Sequence, residues 1–344
     1  MNIDRTCFVS DNCAASCPEV AAALAAVDHG HALSYGEDAT TARACRVIEG
    51  LFECDCDVYF VFSGTAANSL ALASLCQSYH GVICHPLAHI ENDECGGPEF
   101  ASHGAKLLLA DGADARIAPQ HLQAVLSKRS DIHFPRPRAL SLTQSTELGT
   151  LYQPEHIREL CDRAKLDGLR VHMDGARFAN AVAALHVAPA DITWRAGVDV
   201  LCFGGTKQGM PVGEAVVFFD HALSEEFGYR CKQAGQLASK MRYLAAPWQA
   251  LLQDGAWLRH AAHANACAAR LARALAEIPD VHLTAPCQAN EVFVRLPSLI
   301  DAHLYQRGWR FSRFLGGEGV RFVCNWSTRQ EWIDALVAEA REVA

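Results

Sequence analysis

Seven short apolar runs, continuous rather than alternating, constrain the fold of this 344-residue chain more than any other feature. They are "DVYFVF" (57–62), "GVIC" (81–84), "AKLLLA" (105–110), "RALSLT" (138–143), "LRVHMD" (169–174), "VDVLCFGG" (198–205) and "EAVVFFD" (214–220). Each is bounded by Gly, Pro or polar residues, and unbroken hydrophobicity marks strands covered on both faces. Helix-length segments such as "SGTAANSLALASLCQSY" and "PEHIRELCDRAKLDG" separate them. That spacing calls for crossovers, so the expectation is an α/β fold with a mostly parallel sheet flanked by helices. Near residue 250 the texture changes. One long helix, "AWLRHAAHANACAARLARALAEI", precedes "EVFVRL", "WRF", "GVRFVCNW" and a final helix. The expected division is a large α/β domain over 1–250 and a small α+β C-terminal domain over 251–344.

A net charge of −9 argues against a nucleic-acid partner. The start "MNIDRTCFVSDN" has no basic-then-apolar export pattern, and "VAAALAAV" is too short to span a bilayer. Fifteen scattered cysteines then read as reduced thiols in the cytoplasm. "FECDCD" fits no zinc spacing and reads as exposed turn residues, so no metal is expected. "LGGEG" (315–319) lacks a strand-to-helix setting and reads as a turn.

Ligands of open α/β sheets sit outside the carboxyl ends of the strands. Three polar clusters fall there: Ser63-Gly64-Thr65, Asp174 and Thr206-Lys207. The first suits a phosphate at a helix N-terminus, or simply caps that helix. Lys207, among Gly204, Gly205 and Gly209, is either a loop lysine or a desolvated Schiff-base nucleophile. Asp174 and Arg177 in "HMDGARF" are either a local ion pair or two separate tools. In the second case Asp174 keeps a pyridine nitrogen protonated and Arg177 clamps a substrate carboxylate. Together the clusters describe one pyridoxal 5′-phosphate site.

The order "SGTAAN", "HIENDE", "HMDGAR", "GGTK" resembles pyridoxal-phosphate enzymes of the aspartate-aminotransferase fold (fold type I transferases). Within them it is similar to the low-specificity L-threonine aldolases and phenylserine aldolases of the β-eliminating lyase group. The likeness runs from "SDN" (10–12) through "YGED" (35–38) to "GVRFVCNW" (319–326). It implies that Lys207 forms the Schiff base, that Asp174 pairs with the pyridine nitrogen and that Gly64 and Thr65 hold the phosphate. It also implies that His89 stacks on the ring, that His133 is a second histidine near the substrate hydroxyl, and that one of the two, His89 or His133, serves as the base. Ser10, on an N-terminal arm, joins Arg177 and Arg321 on the substrate carboxylate, and Tyr35 arrives from a neighbouring subunit. Where relatives place an arginine on the phosphate, this chain has "GQLASKMRY", which leaves Lys240 or Arg242 for that role. "LTQSTE" replaces "LENTHN", which makes Gln144 a cofactor contact.

The implied reaction is retro-aldol cleavage of L-threonine, L-allo-threonine and related L-β-hydroxy-α-amino acids to glycine and an aldehyde. The implied assembly is a homodimer or homotetramer with sites at the dimer interface. The competing expectations are an aldolase preferring L-phenylserine, another lyase or transaminase on the same cofactor, and a catalytically dead binding protein.

Overall fold

The computed structural model describes residues 4–314 and 319–344, so "LGGEG" lies, apart from Gly319, outside the described residues. The seven runs form β1 (Asp57–Val61), β2 (His80–Cys84), β3 (Lys106–Leu109), β4 (Arg136–Thr143), β5 (Arg170–Gly175), β6 (Val200–Gly204) and β7 (Glu214–Phe218). They make one sheet in the order β1-β7-β6-β5-β4-β2-β3. The five strands from β3 to β6 run parallel, and β7 is antiparallel to both of its neighbours. Every residue of β2, β6 and β7 is buried, which is why these runs are continuously apolar.

Helices cover both faces. The Pro154–Leu166 helix buries Ile157, Leu160, Cys161 and Ala164, a single stripe at helical spacing, and turns its charged face outward. It ends where Gly168 takes φ +73°, a conformation that favours glycine. Phe203 of β6 anchors an aromatic core, with ring centroids 4.7 Å from Trp248 and 5.5 Å from Phe178.

A second sheet, in the order β10-β11-β9-β8, is antiparallel throughout. Its strands are β8 (His282–Leu283), β9 (Glu291–Arg295), β10 (Ser312–Phe314) and β11 (Gly319–Val323). "WRF" is not a strand. Trp309 is fully buried and donates Nε1–H to Glu339 at 2.9 Å, and pairing begins only at Ser312.

The start of the chain packs here and not on the large sheet. Cys7 and Phe8 join the apolar cluster of Val292, Val294 and Phe322, and Val323 N–H donates to the Phe8 carbonyl at 2.9 Å. That docking places Ser10 and Asp11 where the two sheets meet. Among the described residues no helix is long and apolar enough to cross a membrane. "FECDCD" is only partly exposed, because Cys56 is buried as β1 begins.

Candidate active site

β1, β5 and β6 end at the same sheet edge, and the residues that follow them line a cavity of about 360 Å³. Ser63, Gly64, Thr65, His89, Asp174 and Lys207 all face it. A chamber of about 70 Å³ adjoins it on the β4 side, sharing Asp174 and Lys207 and adding Glu147 and Arg177.

Local chain geometry explains the glycines. Ser63 caps the Gly64–Leu75 helix, its hydroxyl accepting from Ala66 N–H at 3.3 Å. The cap is compatible with the expected phosphate role, for the capped helix still presents its positive end to the cavity. No atom lies within 4 Å of where a Cβ on Gly64 would stand, so the backbone opens onto empty space. Gly204 and Gly205 are obligatory for another reason. A Cβ on Gly204 would run into the Ala176 carbonyl, and one on Gly205 would stand 2.6 Å from the Gly213 carbonyl. The tight exit from β6 carries Lys207. Glu214 of β7 braces it, accepting from Gly205 N–H at 2.6 Å. Burial pushes the Glu214 carboxyl up to about 7.

Asp174 is held on both oxygens. Oδ1 accepts from Ala176 N–H at 2.9 Å, and Oδ2 from Asn68 Nδ2 at 3.0 Å. Asn68 Nδ2 also donates to Glu94 Oε1 at 2.8 Å, and that oxygen is 2.9 Å from His89 Nδ1. A hydrogen-bonded chain therefore joins His89 to Asp174 through Glu94 and Asn68. The Glu94 hydrogen bond raises the His89 pKa against the opposing effect of burial. Burial raises that of Glu94.

Arg177 is not paired with Asp174. Its Nε and Nη2 donate to Asp11 at 2.8 and 3.0 Å, and Nη2 lies 3.5 Å from Glu291 Oε1. Arg321 Nη1 donates to the same Glu291 oxygen at 3.3 Å. Burial would raise the Asp11 pKa, but the Arg177 and Lys207 charges outweigh it and hold it below its ordinary value. Ser10 sits beside this cluster, its hydroxyl accepting from Asn12 N–H at 3.1 Å.

Gln144, Lys240, Arg242 and His133 do not line this cavity within one chain, and neither does Tyr35, which was expected from a neighbouring subunit. Gln144 is fully buried, with Nε2 donating to the Tyr152 carbonyl and Oε1 accepting from Tyr152 N–H, both at 3.0 Å. Its amide is spent on the backbone and does not face the cavity. Lys240 is exposed and Arg242 reaches toward the His29 carbonyl, so neither lines the cavity. The residue beside the Ser63-Gly64-Thr65 turn is Gln236, whose Oε1 accepts from Phe62 N–H at 3.0 Å.

His133 precedes β4, so it lies at the end of a parallel strand away from the site. β4 has eight residues, roughly 25 Å of extended chain, and His133 lines a separate cleft of about 780 Å³. Tyr35, with φ 58°, is exposed on another groove, the Lys232 ammonium 4.3 Å from its ring centroid.

The site also contains residues not singled out from the sequence: Asp11, Asn68, Glu94, Glu147, Glu214 and Glu291. Asp11 and Glu94 lie inside "SDN" and "HIENDE", so the signal was a carboxylate next to a residue already chosen. Asn68 and Glu147 likewise end "SGTAAN" and "LTQSTE", whereas Glu214 and Glu291 gave no signal, because tertiary packing alone aims them here. Elsewhere, Cys17, Glu19 and His260 place ligand-type atoms within 4.8 Å of one another. Those atoms are spent on mutual hydrogen bonds, His260 to Glu19 at 3.2 Å among them.

Comparison with known proteins agrees with this geometry. The family model described as beta-eliminating lyase matches residues 8–297. A low specificity L-threonine aldolase of a Pseudomonas species is 54% identical over 98% of this chain and 97% of its own length. One from Pseudomonas aeruginosa has the same identity and coverage. The structure of a Leishmania major threonine aldolase superposes with a TM-score of 0.91 at 27% identity, covering 98% of this chain and 99% of that one. With the match spanning both sheets and the whole cavity lining, the chain belongs to the beta-eliminating lyase family, among its low-specificity L-threonine aldolases.

Proposed function

We propose that the protein is a pyridoxal 5′-phosphate-dependent aldolase that cleaves L-threonine, L-allo-threonine and related L-β-hydroxy-α-amino acids to glycine and an aldehyde. The observation that carries this is one cavity shared by Lys207, the braced Asp174 carboxylate, the open Gly64-Thr65 turn and His89. This donor set fits the cofactor: an amine for its aldehyde, a carboxylate for its ring nitrogen, a helix N-terminus for its phosphate and an imidazole for its face. When bound, the cofactor supplies an electron sink for the bond that breaks at Cα.

The protein's own groups do the rest. Asp11 takes the Nε–Nη2 edge of Arg177 and leaves Nη1 for a substrate carboxylate. Arg321 adds a second positive charge from β11. Ser10 completes the carboxylate end from the N-terminal arm. Fixing that end sets which bond at Cα stands across the ring, and so which one breaks. His89 Nδ1 faces Glu94, so it carries the proton and leaves Nε2 as the lone pair that takes the β-hydroxyl proton. A histidine near neutrality accepts that proton as the aldehyde leaves, then returns it.

The reading extends to a cytoplasmic homodimer or homotetramer, supported by fifteen free thiols and by Tyr35 being exposed outside its own cavity. Tyr35 then serves the site of a neighbouring subunit. A division into domains 1–250 and 251–344 is supported by the second sheet's own apolar cluster, which runs from Cys267 to Ala340 and takes in Cys7 and Phe8 from the N-terminal arm, while a large-sheet cluster extends to Trp257 and Ala261. The test is aldehyde release by purified protein with added cofactor from L-threonine, L-allo-threonine and L-phenylserine. Release from the first two supports the reading, and release from L-phenylserine alone would replace it with an aromatic preference. No aldehyde from any of the three would sink it.

A further inference from the structure

The chamber on the β4 side holds a group with no place in the scheme above. Glu147 Oε1 is saturated, accepting from His89 N–H at 3.0 Å and from the Thr143 hydroxyl at 2.7 Å. Its Oε2 is shielded from water and lacks a hydrogen-bond partner among the described residues, although the residue as a whole is half-buried. Ser145 Oγ and Asn68 Oδ1 are also unpartnered, and both residues line the same chamber. A buried carboxylate oxygen without a partner costs about 1–3 kcal/mol. Oε2 is therefore the atom this wall offers to a ligand.

The cofactor's substitution pattern says which of its atoms arrives there. Its ring nitrogen and aldehyde-bearing carbon lie at opposite ends, and the phosphate arm and the 3-oxygen flank the aldehyde carbon on either side. Asp174 takes the nitrogen and Lys207 the aldehyde carbon. The phosphate arm goes to the turn after β1, across β6 and β7 in the sheet. The 3-oxygen is then directed the other way, toward β4, the neighbour of β5. Thr143 ends β4, and Glu147 follows it by four residues.

We infer that Glu147 is a cofactor-binding residue whose protonated Oε2 donates a hydrogen bond to the 3-oxygen of the pyridoxal ring. The inference rests on the cofactor reading above. Burial pushes this carboxyl up to about 7, with Asp174 acting in the same direction. An anionic ring oxygen alongside holds the proton more firmly still. The other groups facing Glu147 are Arg177 after β5, His89 and Glu94 after β2, and Lys207 after β6. Cys84 of β2 and Tyr152 are near enough to feel its charge.

The test follows cofactor release from diluted holoenzyme at its visible band, for wild type, Glu147→Ala and Glu147→Gln. Glu147→Ala should hold the cofactor about tenfold less tightly, the size of one hydrogen bond, with its band moved to longer wavelength. Glu147→Gln restores a donor, so affinity and band should return to wild type while the band loses the pH dependence that Glu147 gives it above neutrality. Glu147→Ala indistinguishable from wild type would overturn the assignment alone, since the colour still upholds the cofactor. Glu147→Gln as weak as Glu147→Ala, with both folded by circular dichroism, would overturn it too. A colourless wild type would sink the cofactor reading and this assignment together.

Discussion

At the scale of single residues, the site works by holding charged groups in pairs and leaving one atom of each pair free. Arg177 shows the principle. Its partner Asp11 is 1% exposed on its side chain, so removing the guanidinium would strand a buried charge. Arg177→Lys keeps the charge but cannot serve Asp11 and a substrate with two edges. The expected cost is about 1.5–3 kcal/mol, roughly 10- to 150-fold in KM with a smaller effect on kcat. Steady-state kinetics with L-threonine measure it. Glu94 sets a second test. It raises the His89 pKa, so Glu94→Gln should lower it and move the acidic limb of the kcat/KM profile to lower pH. An unmoved limb would mean that His89 is not the base.

The residues legible in the sequence were those fixed by strand ends. Asp174 and Lys207 each follow an apolar run, so the rule that ligands sit outside the carboxyl ends of strands marks them from the sequence alone. Glu94 and Asp11 lay inside motifs already singled out, but their pairing with His89 and Arg177 was hidden because a hydrogen-bond partner is chosen by packing, not by spacing. Gln144 misled for the same reason. Polar and adjacent to Asp174, it turns away to pair with the Tyr152 backbone.

At the scale of elements, the exits from β5 and β6 carry the function, and they tolerate little. A Cβ on Gly204 would meet the Ala176 carbonyl, which is backbone and cannot rotate away. Gly204→Ala should therefore destabilise the protein by about 1–3 kcal/mol and loosen Lys207, as overpacking does. Urea unfolding checks the first part and cofactor retention the second. Strand positions were legible because burial on both faces writes an unbroken apolar run. The span from 309 to 314 was not, because Trp309 is apolar for a different reason, as a core anchor between Phe8 and Glu339.

For the whole molecule, the two sheets are stitched at the site by the N-terminal arm. Phe8 lies in the core of the second sheet while Asp11, three residues on, pairs with Arg177 from the first. The long range of that contact is why composition alone could not show it. His133 and Tyr35 mark the other limit, since both lie away from the cavity of their own chain. A mixture of Lys207→Ala and Tyr35→Ala subunits tests whether Tyr35 crosses between copies. Each variant alone should be weak or dead. Exchange in a dimer should restore about a quarter of wild-type sites, since half the dimers are hybrids with one intact site each. No recovery after subunit exchange would confine Tyr35 to a surface role.

The central claim is carbon–carbon cleavage at this cavity, and product stoichiometry tests it most directly. Purified protein loaded with pyridoxal phosphate should convert L-threonine to glycine and acetaldehyde in equal amounts, with neither ammonia nor a keto acid formed. Ammonia with a keto acid in place of glycine would contradict the account and assign the same residues to elimination.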